Sequence, residues 1–247
     1  MTDKPIVFFH LDLDNATSFK YEKHSQDWKD AFKDFYGGWS KYLRHAVENR
    51  SREHGLKLQP LRFWKGLGDA QVHKAEFEGA DEVFAYVLGF YDAFHQFSDY
   101  LMNRYNLGLK ATAWYATFPE PNLRLQTPAG DDYIGPDLDI GFRLTTVSQS
   151  NRIILAMDLA DLVSRSQLIN NVTFHHVGWR SLKGVHRDTP YPIILLNGQT
   201  PIKVPIWESY LSDLTQKYLM DDPLQPEGLQ KLIARYKSDL QYDRDKI

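Results

Sequence analysis

The chain has 247 residues, 43% of them hydrophobic and 25% charged, and these proportions exclude a disordered chain or a coiled coil. Its formal net charge of −3 and the lack of a dense basic stripe argue against a nucleic-acid partner. Without cysteine, disulfide scaffolds and thiolate metal sites are excluded. We find no cleavable apolar leader and no run that approaches a membrane span, so we expect a cytoplasmic protein without a membrane partner.

The first half of the chain predicts two strand–helix units separated by a hairpin. The spacing of apolar residues predicts a strand over 6–11, a helix over 20–52, strands over 56–64 and 70–75, a helix over 81–105 and a strand over 109–118. Gly37-Gly38 is expected to kink or split the first helix. The turn Gly66-Leu67-Gly68-Asp69 joins two strands into a hairpin.

The second half alternates strands and shorter helices. A proline-bearing loop leads to a helix that begins near Pro136, a residue that suits a first helical position. A strand over 152–157, a helix over 158–166 and strands over 172–177 and 192–196 follow. This order predicts an α+β fold with one mixed sheet. We expect residues 5–205 to form the main domain and residues 206–247 a helical C-terminal extension.

Two acidic residues stand where a sheet would bring them together. Asp12 ends the first strand and Asp69 lies in the hairpin turn, two places that are neighbours in a ferredoxin-like sheet. Two carboxylates and the carbonyl of Leu13 suit Mg²⁺, which keeps waters and recruits phosphate oxygens. The alternative is that Asp12 caps a helix and Asp69 fills a turn. The Gly-x-Gly turn lets a ligand approach the backbone and favours the metal.

Other polar residues have a functional and a structural interpretation. Lys65 is either an edge-strand lysine or a donor to a base or a phosphate. Asp139 and Arg143 lie one helical turn apart, close after Asp132, either as an exposed ion pair or with the arginine placed to bind a phosphate. Lys183 is either a phosphate contact or a solvated turn lysine.

Taken together, the motifs resemble those of class III nucleotidyl cyclases, in the same order along the chain. Residues 9–17 are similar to the family's first metal motif, 65–69 to its Lys-x-Ile-Gly-Asp hairpin and 133–144 to its Asn- and Arg-bearing helix. Residues 152–163 resemble the strand and helix that follow, and 182–184 the late Lys-Gly. The resemblance covers about residues 5–197. It implies the ferredoxin-like class III nucleotidyl cyclase fold, a mixed sheet flanked by helices.

The resemblance also implies a role for each candidate residue. The family's positions fall on Asp12, Asp69 and the Leu13 carbonyl for two Mg²⁺ or Mn²⁺ ions per site, on Lys65 and Asp132 for the base, on Asp139 and Arg143 for the transition state, and on Lys183 for the triphosphate. It implies a homodimer with two composite active sites, since one protomer supplies the metals and the other the base pocket. Asp139 replaces the usual asparagine, and an ionised aspartate cannot donate a hydrogen bond.

The compact form of the chain is most similar to the pyrimidine cyclases of bacterial Pycsar antiphage systems. This implies a phosphorus–oxygen lyase that converts UTP, or as second choice CTP, to a 3′,5′-cyclic nucleotide read by a separate effector. A Lys donor beside an Asp acceptor does not identify which nucleobase is recognised, so an adenylate or guanylate cyclase remains an alternative. Trp64, Trp114 and Tyr115 either narrow the base pocket to pyrimidine size or pack in the core.

Two further classes remain as alternatives. Asp12-Leu13-Asp14 also resembles the opening strand of the GGDEF and CRISPR-polymerase palms, which link nucleotides to one another. Against this, Ala70 follows Asp69 in place of their Glu-Phe. The second alternative is a catalytically silent module that binds a nucleotide or only dimerises. The two unpaired acids argue against it.

Overall fold

A computed structural model describes residues 4–22, 25–170, 172–186, 189–198 and 224–244. The strands are β1 (Ile6–Leu13), β2 (Arg62–Gly66), β3 (Ala70–Glu76), β4 (Leu109–Ala116), β5 (Leu123–Thr127), β6 (Gly130–Ile134), β7 (Ile153–Leu155), β8 (Thr173–Arg180) and β9 (Tyr191–Asn197). The helices are α1 (Ala16–Glu22), α2 (Ser25–Glu53), α3 (Ala80–Tyr105), α4 (Pro136–Leu144), α5 (Met157–Ser164) and α6 (Pro226–Arg244).

Seven strands form one mixed sheet in the order β2-β3-β1-β4-β7-β9-β8. The β4–β7 pair is parallel, and the other neighbouring pairs are antiparallel. Strands β5 and β6 form a separate hairpin. The predicted α+β fold with one mixed sheet is therefore confirmed. Strand β1 lies between β3 and β4, which places the end of β1 beside the β2–β3 turn and the start of β4.

Both faces of β1 are covered, and this explains its nearly uninterrupted apolar sequence. On one face Phe9 packs under the long helices, with its ring 4.6 Å from that of Phe90 in α3. On the other face the ring of Phe8 lies 5.6 Å from Trp114 of β4 and 5.4 Å from Tyr133 of β6. Asp12 is the one residue of β1 that is not fully buried. A carboxylate therefore interrupts a buried strand whose other residues, apart from His10, are apolar.

Several predicted boundaries are wrong. Helix α2 runs unbroken through Gly37-Gly38, and a Cβ on Gly38 would lie 3.3 Å from the ring of Phe97, so this glycine permits close packing of α2 against α3. Strand β2 begins at Arg62 instead of residue 56. The β5–β6 hairpin was not predicted, because the prolines before it read as a loop and its outer side chains are exposed.

Helix α6 packs against the same core as the sheet. Its Leu229, Ile233 and Tyr236 are buried in the main hydrophobic cluster. The Nζ atom of Lys237 lies 2.5 Å from Oδ1 of Asp158 in α5. Residues 201–223, and with them part of the predicted C-terminal extension, lie outside the described residues. None of the helices in the described ranges is both long and apolar enough to cross a membrane.

Candidate active site

The end of β1 brings Asp12, Leu13 and Asp69 together. Asp12 is opposite Ala70 of β3, and the Leu13 amide donates to the Asp69 carbonyl at 3.0 Å. Helix α1 begins at Ala16, so Asp12 does not cap it, and the capping interpretation of Asp12 is wrong. The hairpin thus places the Asp69 carboxylate beside Asp12, as the sequence predicted.

Lys110 is a neighbour of Asp12 that the sequence analysis missed. It lies directly opposite Asp12 on β4, with Nζ 3.3 Å from Asp12 Oδ2. The two side chains are only 25% and 19% exposed, respectively. Burial raises the pKa of Asp12; Lys110 lowers it, and the charges of Asp69 and Asp14 raise it further. The signal in the sequence was a lysine inside the apolar strand 109–116.

The donors at this end of the sheet fit a hard divalent cation that brings other ligands with it. Within the described ranges, no three His, Cys, Asp or Glu side chains are grouped to hold a metal ion. Two carboxylates and a backbone carbonyl leave most of an octahedral shell to water or phosphate oxygens, an arrangement that Mg²⁺ accepts. The raised pKa of Asp12 agrees with this, since a partly desolvated carboxylate gains from a nearby positive charge.

Tyr36 of α2 holds the turn that carries Asp69. Its hydroxyl lies 2.9 Å from the Gly68 carbonyl and 3.1 Å from the Ala70 carbonyl, on either side of Asp69. A Cβ on Gly66 would lie 3.0 Å from the same hydroxyl, so glycine is needed there for this approach. A long helix therefore positions the Asp69 turn through one side chain.

Lys65 and Asp132 form a second pair. Lys65 Nζ donates to Asp132 Oδ1 at 2.7 Å, across 67 residues of sequence. The same Nζ lies 4.0 Å from the centroid of the Trp64 ring, and Trp64 Nε1 donates to the Asp131 carbonyl at 3.1 Å. The hydrogen bond from Lys65 is the main reason that the pKa of Asp132 is lowered. A cationic donor and an anionic acceptor are thus presented side by side.

Three other predicted residues make no hydrogen bond or ion pair with either pair among the described residues. Asp139 and Arg143 are exposed on α4 and do not form the ion pair considered as an alternative. Helix α4 itself is tightly seated, since a Cβ on Gly141 would lie 2.1 Å from Trp114 Cδ2. Lys183 is exposed in the turn after β8. Within the described part of one chain, no hydrogen bond or ion pair joins these side chains to Asp12 or Lys65.

Of the three bulky aromatic residues, only Trp64 lies at the Lys65–Asp132 pair. Trp114 is 1% exposed and stacks on Phe8, so it belongs to the core. Tyr115 faces the opposite side of the sheet, by the alternation along β4, and packs against Phe77. The core interpretation therefore holds for Trp114 and Tyr115.

No family model and no curated protein matches the sequence. Solved structures do match. The adenylyl cyclase CyaB from P. aeruginosa superposes with a TM-score of 0.55 and 16% identity, over 83% of this chain and 100% of that one. A Trypanosoma brucei adenylate cyclase gives 0.54 and 13%, over 81% and 93%. The guanylyl cyclase Cya2 gives 0.52 and 14%, over 83% and 96%. The chain has the fold of class III nucleotidyl cyclase catalytic domains.

Proposed function

We propose that this protein is a nucleotidyl cyclase that converts a nucleoside triphosphate to a 3′,5′-cyclic nucleotide and pyrophosphate. One observation carries the proposal: the Asp12–Asp69 and Lys65–Asp132 pairs lie on one face of a cyclase-type sheet. Asp12 pairs with Ala70 and Lys65 with Val72, two residues apart on β3, so both side chains point to the same side. One pair suits a metal-bound triphosphate and the other the edge of a base.

The chemistry assigns a separate task to each group. Asp12, Asp69 and the Leu13 carbonyl would hold the divalent ions, which would supply Lewis acidity to the ribose 3′-hydroxyl and to the α-phosphate. Arg143 and Lys183 contribute fixed positive charge to the phosphates as that charge develops. Lys110, already beside Asp12, is placed to turn to a phosphate oxygen when the carboxylate binds a cation.

A second copy of the chain is needed to complete the site. Asp139, Arg143 and Lys183 are exposed and, within the described part of one chain, form no hydrogen bond or ion pair with either pair. The outer face of the β5–β6 hairpin carries three exposed apolar side chains, at 49% for Leu123, 37% for Leu125 and 51% for Ile134. They lie on the same hairpin face as Asp132, by the alternation along β6. Such a patch beside an incomplete site supports a homodimer with two composite sites.

For the base, we infer UTP first and CTP second, from the sequence resemblance to the pyrimidine cyclases. Trp64, under Lys65, supports a narrow site. The same resemblance supports a product that serves as a second messenger in antiphage defence and is read by a separate effector with a cyclic-nucleotide-binding domain. The test is protection from phage of a host that carries the chain together with an effector that responds to the cyclic nucleotide; equal protection by Asp69→Ala would contradict this role.

The decisive assay incubates the purified full chain with Mn²⁺ and each of the four NTPs, and identifies products by mass. Cyclic UMP is the expected product, with cyclic CMP as the second choice. A product from ATP alone would refute the pyrimidine assignment, and a linked dinucleotide would indicate a palm-type polymerase. Asp12→Ala and Asp69→Ala are expected to abolish turnover. Unchanged turnover in either variant would refute the metal assignment.

A further inference from the structure

A cleft of about 130 Å³ lies on the Asp12 face of the sheet, near the other end of β1. Three cationic side chains line it, Arg62, Lys74 and Arg124, together with the carboxylates of Glu76 and Asp131 and the ring of Tyr133. Lys74 is opposite Phe8 of β1, four residues from Asp12. At roughly 3.3 Å per residue this separates the cleft from the candidate metal positions by about 13 Å. The cleft is therefore separate from the candidate metal positions, and it borders the Lys65–Asp132 pair, since Asp131 lines it and the charge of Lys74 acts on Asp132.

Lys74 is the unusual group in this cleft. It is half-buried, and its Nζ donates to the neutral hydroxyl of Tyr133 and lies 4.3 Å from the centroid of that ring. Of the ion pairs formed by described residues, none includes Lys74. Burial lowers the pKa of Lys74; Asp131 raises it, and Arg124 lowers it. A desolvated ammonium with only a neutral partner is costly, and an anion would remove that cost.

The two arginines complete the positive wall. Arg124 is fixed by Asp131, at 2.7 Å from Nη2 to Oδ2, and by Glu76, at 3.7 Å from Nη1 to Oε1. Arg62 is exposed at the rim and forms no ion pair with a described residue. The two carboxylates of the cleft both pair with Arg124. Lys74 and Arg62 are the two cations that lack a carboxylate.

We propose that this cleft binds a small multivalent oxyanion of the phosphate or pyrophosphate class. A cleft of this volume holds several waters, and its lining leaves room for a phosphate group. Lys74, Arg62 and the Tyr133 hydroxyl supply charge-assisted and neutral donors to its oxygens. A ligand of charge −2 or more matches the uncompensated cations better than a monocarboxylate does. The proposal stands independently of the cyclase activity.

The test is calorimetric titration of the full chain with phosphate and with pyrophosphate, in chelator and without divalent ions. Lys74→Met is expected to weaken binding at least about tenfold, because it removes a charge-assisted contact. It is also expected to leave the ligand-free melting temperature unchanged or higher, because a desolvated ammonium is removed. Arg62→Gln, at the exposed rim, is expected to weaken binding several-fold without affecting folding.

Arg44→Gln serves as the matched control, since it removes an exposed cation from α2 and is expected to leave binding unchanged. No detectable binding of either ion at about 10 mM would overturn the proposal, since it means a standard binding free energy weaker than about −3 kcal/mol. Equal binding by wild type, Lys74→Met and Arg62→Gln would overturn it too. Binding lost in Lys110→Gln but kept in Lys74→Met would place the ion beside Asp12 and refute the cleft.

Discussion

Replacing Tyr36 with phenylalanine removes only the hydroxyl that holds the turn around Asp69. That hydroxyl lies 2.9 Å and 3.1 Å from the two carbonyls that flank the aspartate. One intramolecular hydrogen bond contributes about 1 kcal/mol net to stability. After its removal the exposed Gly68 carbonyl can turn to water, and the Ala70 carbonyl keeps the Leu67 amide at 2.8 Å as a donor. We therefore expect Tyr36→Phe to lower the free energy of unfolding by about 1 kcal/mol.

The same change should weaken metal binding. Loss of the hydroxyl makes the present conformation of the Asp69 turn less favourable by about 1 kcal/mol. The apparent affinity of the proposed site for Mn²⁺ should then fall by roughly fivefold. Two readouts measure this: a titration of Mn²⁺ by electron paramagnetic resonance without nucleotide, and the Mn²⁺ concentration for half-maximal turnover. Saturating Mn²⁺ is expected to restore turnover close to that of the wild type, because Tyr36 does not touch the reacting groups.

Tyr86→Phe is the matched control. Its hydroxyl donates to the Gln59 carbonyl at 2.8 Å, so this variant loses a similar tyrosine–carbonyl hydrogen bond away from the Asp69 turn. It should lose similar stability with an unchanged Mn²⁺ dependence. If Tyr36→Phe loses stability but binds Mn²⁺ as tightly as Tyr86→Phe does, the hydroxyl has only a structural role and the reasoning is refuted.

Two further predictions concern packing and acid stability. Gly141→Ala places a methyl group where the nearest Trp114 atom is 2.1 Å away and should lower the melting temperature by roughly 5 °C, whereas Gly37→Ala, with nothing within 4 Å, should leave it unchanged or raise it. Similar melting curves would refute the close packing of α4. Burial lowers the pKa of His73 from 6.5 to about 4 in the folded protein. As the pH falls below about 6.5, His73 is therefore protonated in the unfolded chain but not in the folded one, and the folded state loses stability. The wild type should therefore lose about 2 kcal/mol more than His73→Leu between pH 7 and pH 5, measured by urea unfolding; parallel losses would contradict this.

Local pattern was enough for much of the architecture and for the proximity of Asp12 and Asp69 at one end of the sheet. The apolar run of β1, the glycine-bearing β2–β3 turn and the helical periodicity of α3 are properties of contiguous residues, so each element was recognised where it lies. Asp12 and Asp69 were found the same way. Asp12 lies near the end of β1 and Asp69 in the turn between β2 and β3. Because β1 pairs with β3, the two residues lie at the same end of the sheet.

Tertiary pairing decided the rest. Lys110 faces Asp12 only because β1 and β4 align in one register, and Lys65 meets Asp132 across 67 residues through an unpredicted hairpin. The contact of Tyr36 with the Asp69 turn depends on how α2 lies over the sheet. Such contacts join residues far apart in sequence, and no spacing within one segment encodes them. The sequence alone determined which groups are available for chemistry, and the folded structure determined which of them meet.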